Sequence, residues 1–169
     1  LKSFFAKFED YKLNQWKEIM DVNINGMFNV AQKVGTLMVK QNTGGSIIQI
    51  ASIQGVIAPD HRIYKGSKYL GVEINNPAVY SVSKAGVISL SKYLSTYWAK
   101  NKIRVNSISP GGVRSGQNDV FVRKYSNRVP MGRMAKAEEI ANGVLFLASN
   151  DSSYVNGHNL VIDGGLTVW

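Results

Sequence analysis

The chain has 169 residues, 44% apolar and 18% charged, a balance that fits one globular domain with its own core and excludes disordered and fibrous classes. It contains no cysteine and only two histidines, His61 and His158, which sets aside disulfides, thiolate metal sites and a histidine-built zinc site, so no metal is expected. A formal charge of +9 admits an anionic partner, but the bases are scattered, no nucleic-acid-binding signature is present, and no apolar run is long enough to span a bilayer; neither nucleic acid nor membrane is expected as a partner, and a cytoplasmic location is the default.

In chain order, apolar residues from Trp16 to Met38 recur near the helical period and predict a helix over 14–40, stopped by Asn42, Thr43, Gly44 and Gly45. Ser46–Ala51 reads as a buried strand ending at Ser52. Pro77 signals a helix running to Lys100, with Val79, Val82, Gly86, Leu90, Tyr93, Leu94 and Tyr97 along one face. Ile103–Ser109 is the next strand, closed by Pro110, Gly111 and Gly112. A helix over 137–149 and a strand over 159–162 complete the alternation, which predicts a parallel sheet joined by right-handed crossovers.

Tyr80 and Lys84 stand one turn apart on the third of these segments, so their side chains share a face. An ammonium beside a phenol favours the phenolate and makes Tyr80 a candidate general acid/base. The pair alone is a weak signal, since Tyr64 and Lys68 repeat it and a half-buried tyrosine beside a snorkelling lysine explains either.

The order of motifs is more specific. The block NPAVYSVSKAGVISLSKYLSTYWAKNKIRVNSISPGGV, preceded by GGSIIQIASIQG and followed by NLVIDGG, resembles the short-chain dehydrogenase/reductase family across nearly the whole chain. The resemblance implies an α/β, Rossmann-like doubly wound parallel sheet and an NAD(P)-dependent oxidoreductase that interconverts an alcohol and a carbonyl by hydride transfer. Carried over residue by residue, Tyr80 exchanges the proton, Lys84 supports it and holds the nicotinamide ribose, Ser52 hydrogen-bonds the substrate oxygen, and Asn23 of VNING orders a water relay to the lysine. Pro110, Gly111 and Val113 match the turn against the nicotinamide, with Ser115 where the family usually has a threonine. The cofactor is NAD or NADP, and the family's habit of assembling through its helices and last strand implies a homo-oligomer, dimer or tetramer.

Two departures shape the expectation further. Ser52 and Tyr80 lie 28 positions apart, more than the family pattern, so 59–77 is expected to be an insertion near the substrate mouth, where Arg62, Tyr64, Lys65 and Lys68 could grip a phosphate or carboxylate. With IYKG and PGGV it resembles a subgroup linked to bacterial polysaccharide or flagellin-sugar biosynthesis, which implies a sugar or nucleotide-linked sugar substrate. The chain also carries no glycine-rich loop between a strand and a helix before Ser52, so it reads as a single, N-terminally truncated domain, the later half of the fold with about three strands, weakly active or inactive alone, and alternatively an inactive fragment or noncatalytic partner of a full-length homologue. Ser46–Ala51 would then form an unprotected apolar edge.

Overall fold

The helical pattern that starts at Asn14 folds, in a computed structural model that describes residues 3–169, into two helices, α1 (Leu13–Met20) and α2 (Gly26–Gln41). They are joined by a π turn, Asp21–Asn25, where the sequence predicted an uninterrupted helix. Asn42 ends α2 in the left-handed conformation, its N–H on the carbonyls of Met38 and Val39. There follow β1 (Gly45–Ile50), a short hairpin of β2 (Lys68–Tyr69) and β3 (Val72–Glu73), α3 (Ala78–Tyr97), β4 (Ile103–Pro110), α4 (Asp119–Ser126), α5 (Ala137–Ala148) and β5 (Asn159–Ile162). The hairpin and α4 are additions to the elements read from the sequence.

The main sheet is parallel in the order β1-β4-β5, with Gly45 opposite Ile103 and Ser107 opposite Asn159. β4 is central and buried along almost its whole length, whereas β1 pairs on one side only among the described residues and leaves Ile50 43% exposed. Among the described residues β1 is thus an edge strand.

Strand alternation assigns the layers. Ile103 and Val105 of β4 pack with Ala31 of α2 and Leu94 of α3, while Arg104 binds the Leu147 carbonyl at the end of α5 and Ile108 lies beside Gly143 of α5. Thus α2 and α3 cover one face and α5 the other, the doubly wound arrangement. Since β1, β4 and β5 step across the sheet in one direction while α3 and α5 lie on opposite faces, the two crossovers have opposite hands. This corrects the expectation of uniform right-handedness. The steric rule governs a helix fed directly by its strand, and between β4 and α5 the chain first builds α4 and the wall of a cleft.

The buried face of α3 shares Val79 and Leu94 with the apolar stripe in the sequence but departs from it elsewhere. Tyr93 and Tyr97 are 63% and 64% exposed and Val82 is exposed, while Val79, Ser83, Val87, Ser91 and Ser95 face inward. Small residues let the helix approach the sheet closely, and the serine hydroxyls cost little to bury because each donates to a carbonyl of its own helix, Ser83 to Tyr80 at 2.8 Å and Ser91 to Val87 at 2.9 Å. Among the described residues no helix is long and apolar enough to cross a membrane, and no cluster of metal-ligating side chains occurs.

Candidate active site

The carboxyl ends of parallel strands leave room for a site where successive loops diverge. β1 ends by delivering Ser52, in extended conformation, as the cap of a 3-10 turn, Ile53–Gly55. Ser52 Oγ accepts the Gln54 N–H at 3.2 Å, which leaves its own proton available to another acceptor. Gly55 presses the turn onto α3: a Cβ there would lie 2.6 Å from the Lys84 carbonyl carbon.

The start of α3 supplies the other predicted pair. Pro77 caps the helix in extended conformation, one position earlier than the first-turn place expected, and accepts the Tyr80 N–H at 3.0 Å. Lys84 Nζ sits 5.7 Å from the centroid of the Tyr80 ring and donates to the Ile50 carbonyl at 2.9 Å. Burial pushes the Lys84 ammonium below the usual lysine range, since desolvation disfavours its charge.

Asn23 lies in the π turn and donates through Nδ2 to Ser83 Oγ at 2.9 Å; that hydroxyl in turn donates to the Tyr80 carbonyl. Asn23 is thereby tied to α3 between Tyr80 and Lys84 through the neighbouring serine. Gly86 permits this approach, because a Cβ there would be 2.6 Å from Ile24 Cδ1.

Ser52, Tyr80, Pro110 and Gly111 line a common cleft of 290 Å³. Gly111 continues the ladder by donating its N–H to the Ile162 carbonyl at 2.8 Å, and Gly112 donates to the hydroxyl of Tyr125 on α4. Val113 and Ser115 are not among the lining residues. Val113 forms a bridge with Ala135, and its carbonyl accepts Gln117 Nε2; Ser115 is exposed, with its N–H on Gln117 Oε1 at 2.7 Å. Val113 and Ser115 are thus set apart from the predicted residues that line the cleft, which Gln117 borders again two positions later.

Five polar side chains of this cleft were not singled out as catalytic or cofactor-binding: Gln54, Tyr64, Asn76, Gln117 and Tyr125. Gln54 and Asn76 carried a positional signal, one lying two residues after Ser52 and the other immediately before Pro77. The segment 59–77 does border the cleft through Tyr64 and Asn76, but its cations are placed otherwise than expected. Arg62 forks onto Asp60 with two contacts of 2.8 Å, Arg128 approaches the same carboxylate at 3.5 Å, and Lys65 and Lys68 are exposed. The two guanidiniums, Arg62 above all, hold the Asp60 carboxyl well below the ordinary range. No lysine, arginine, aspartate or glutamate is among the described residues lining the cleft. Tyr64 stacks on Phe121 at 6.0 Å, and burial, with Tyr125 beside it, pushes its phenol up to about 12.

A family model described as enoyl-(acyl carrier protein) reductase matches residues 2–167. The chain belongs to the short-chain dehydrogenase/reductase family. It is 38% identical to a D-arabinitol 2-dehydrogenase (ribulose-forming) of Candida tropicalis, over 95% of this chain and 55% of that protein. It is 36% identical to the 3-oxoacyl-[acyl-carrier-protein] reductase of Thermotoga maritima, over 93% of this chain and 59% of that one. Among solved structures, a short-chain dehydrogenase of Leptospira borgpetersenii with bound NAD+ superposes with a TM-score of 0.89 at 41% identity, covering 97% of this chain and 61% of its own. The chain thus spans somewhat over half the length of these two curated relatives.

Proposed function

We propose that the protein is an NAD(P)-dependent oxidoreductase that interconverts an alcohol and a carbonyl on a sugar or polyol, with Tyr80 as the general acid/base. The observation that carries this reading is the meeting of Ser52 and Tyr80 in one cleft with Lys84 held beneath the tyrosine ring. A bound nicotinamide supplies or accepts the hydride at the substrate carbon. Tyr80 gives the accompanying proton to the substrate oxygen on reduction and takes it on oxidation. Ser52, its Oγ already accepting from Gln54, donates its remaining proton to the same oxygen and stabilises charge that develops there. Lys84 uses one ammonium proton on the Ile50 carbonyl and keeps two donors for the ribose hydroxyls, with its charge held beside the Tyr80 ring.

The residues present fit the nicotinamide end of the cofactor. Pro110 and Gly111 open onto the cleft beside Tyr80, and the Val113 bridge with Ala135 uses the Gly112 carbonyl and the Arg114 N–H, leaving the Val113 N–H uncommitted among the described residues. Asn23, through Ser83, positions the turn of α3 that bears Tyr80 and Lys84. Ser115, exposed beyond the bridge, retains only the peripheral carboxamide or phosphate contact that the resemblance gives it. The D-arabinitol enzyme among the relatives supports the polyol class, and a cleft without charged lining favours an unlinked sugar or polyol over the nucleotide-linked sugar of the polysaccharide-related subgroup. Exposed Phe28, Tyr93 and Tyr97 border a groove between α2 and α3, which supports a homo-oligomer built through these helices.

Tyr80→Phe tests the reading. It removes the proton donor while keeping the ring over which Lys84 lies, so turnover with NADH or NADPH should fall by roughly 10²- to 10⁴-fold with an unchanged melting temperature. Turnover within threefold of wild type would refute the role of Tyr80.

A further inference from the structure

Gln54 and Asn76 come from separate segments, the turn after β1 and the residue before the Pro77 cap, yet both border the cleft that holds Ser52 and Tyr80. Asn76 is 8% exposed, and its Nδ2 donates to Gln54 Oε1 at 2.9 Å. That bond fixes both amides. It consumes one donor of Asn76 and the carbonyl of Gln54, and leaves Gln54 Nε2 and Asn76 Oδ1 without a side-chain or backbone partner among the described residues. The pair therefore retains Gln54 Nε2 and the second Asn76 N–H as donors and Asn76 Oδ1 as an acceptor. The Gln54 backbone N–H is bound to Ser52 Oγ, so the Gln54 donor belongs to a residue locked directly to the serine that would hold the reacting oxygen.

A hydroxyl is the group that both accepts from an amide nitrogen and donates to an amide oxygen. A methyl or methylene in its place would leave two polar groups of a largely buried pair unmatched, which penalises the wrong substrate more than it rewards the right one. A phosphate or carboxylate matches the donor but meets the Asn76 oxygen with like partial charge, and no cation lines the cleft to offset that.

We infer that Gln54 and Asn76 are specificity-determining residues that read a hydroxyl on the carbon adjacent to the reacting carbon, selecting uncharged polyols and hydroxyketones. The inference rests on the alcohol/carbonyl reading of the same cleft.

The test compares dihydroxyacetone with acetone, two ketones on the same three-carbon skeleton, as substrates of the full-length protein with NADH and NADPH; dihydroxyacetone phosphate forms a third arm. Wild type should favour dihydroxyacetone over acetone in kcat/KM by at least about tenfold and should not favour the phosphate. Gln54→Leu and Asn76→Leu should each draw the ratio toward one by losing dihydroxyacetone turnover while acetone turnover persists. Gln54→Glu keeps an acceptor for Asn76 and replaces the free donor with a carboxylate oxygen, so it should lower the ratio in folded protein even where a leucine variant fails to fold. A ratio near one in wild type, a ratio unchanged by Gln54→Glu, or a tenfold preference for the phosphate overturns the assignment and leaves the oxidoreductase reading standing. Absence of turnover of all three ketones by wild type, with either nucleotide, overturns both.

Discussion

Gly55→Ala is expected to damage both stability and turnover, for a reason that is purely steric. Gly55 is not among the residues of positive φ, so an alanine could adopt its backbone conformation without strain. Its added Cβ, however, would stand 2.6 Å from the Lys84 carbonyl carbon, 2.7 Å from the Ala85 nitrogen and 2.8 Å from the Lys84 carbonyl oxygen, all backbone atoms of α3. Restoring ordinary contact at 3.4 Å requires the 3-10 turn and the helix to separate by about 0.8 Å. Overpacking against backbone costs roughly 1–3 kcal/mol, partly offset by about 0.4–1 kcal/mol from the stiffer unfolded chain. The separation also moves Ser52, the cap of the turn, away from Tyr80 on the helix, and a misplacement near 1 Å can lower turnover by about 10²-fold. Urea unfolding followed by the fluorescence of buried Trp98, together with steady-state kcat, measures both effects. Gly71→Ala is the matched control. Gly71 has a φ of 79° and nothing within 4 Å of its would-be Cβ, so that variant should lose about 1 kcal/mol through backbone strain and leave kcat untouched. A Gly55→Ala protein with wild-type unfolding midpoint and kcat would refute the claim that this close approach sets the site.

Ser83→Ala removes the acceptor of Asn23 Nδ2 and should cost about 1–3 kcal/mol in urea unfolding, with kcat falling because the π turn is no longer tied to α3; an unchanged midpoint would show that the link carries no strain or stability. The Tyr64 phenol, pushed up to about 12 from 10, gives a signed pH dependence. Between these values the folded state holds a proton that the unfolded state has lost, so stability is intact below pH 10 and falls by up to about 2 kcal/mol as pH rises to 12. Tyr64→Phe should flatten that alkaline slope in denaturation series, leaving the smaller part due to Tyr125, whose phenol burial also raises.

The strands and long helices were legible because their signals are local and repeated. β5 spans the predicted 159–162, and β4 exceeds its prediction only by Pro110, which the ladder extends through the pairing with Ile162. The β2–β3 hairpin was hidden by its turn. Leu70 and Gly71 both take positive φ there, the conformation that Asn-Gly usually announces, and leucine in that position gives no such signal. α4 is short, and its cap, Asn118 Oδ1 accepting the Phe121 N–H, was masked by the β-branched Val120 and Val122 that follow. On α3 the apolar stripe held at Val79 and Leu94 and misled at Val82, Tyr93 and Tyr97, because large side chains can remain at a surface while small serines fill much of the face against the sheet. The hands of the crossovers were beyond reach for a different reason: they depend on which face each helix covers, and no residue pattern within one segment records that.

The candidate site shows the same division at finer scale. Ser52, Tyr80 and Lys84 could be named because the order of their motifs is preserved along the chain, but what brings them together is a set of close approaches that no motif spells. Gly55 sets the Ser52 turn against α3, Gly86 admits Ile24 and with it the π turn bearing Asn23, and Gly112 lies where a Cβ would come within 2.6 Å of the Tyr125 ring. Each glycine marks a point where an element carrying a site residue touches another element backbone to side chain or backbone to backbone. The polar residues that complete the cleft, Gln54, Asn76 and Gln117, sit in turns without periodicity, so their chemistry becomes visible only when the turns are folded onto one another. The proposed reacting groups thus follow from the sequence of the regular elements, whereas the residues proposed to set substrate preference are amides on the connections between them. Substitutions in 53–77 are therefore expected to change the substrate preference of the proposed reaction more readily than its chemistry.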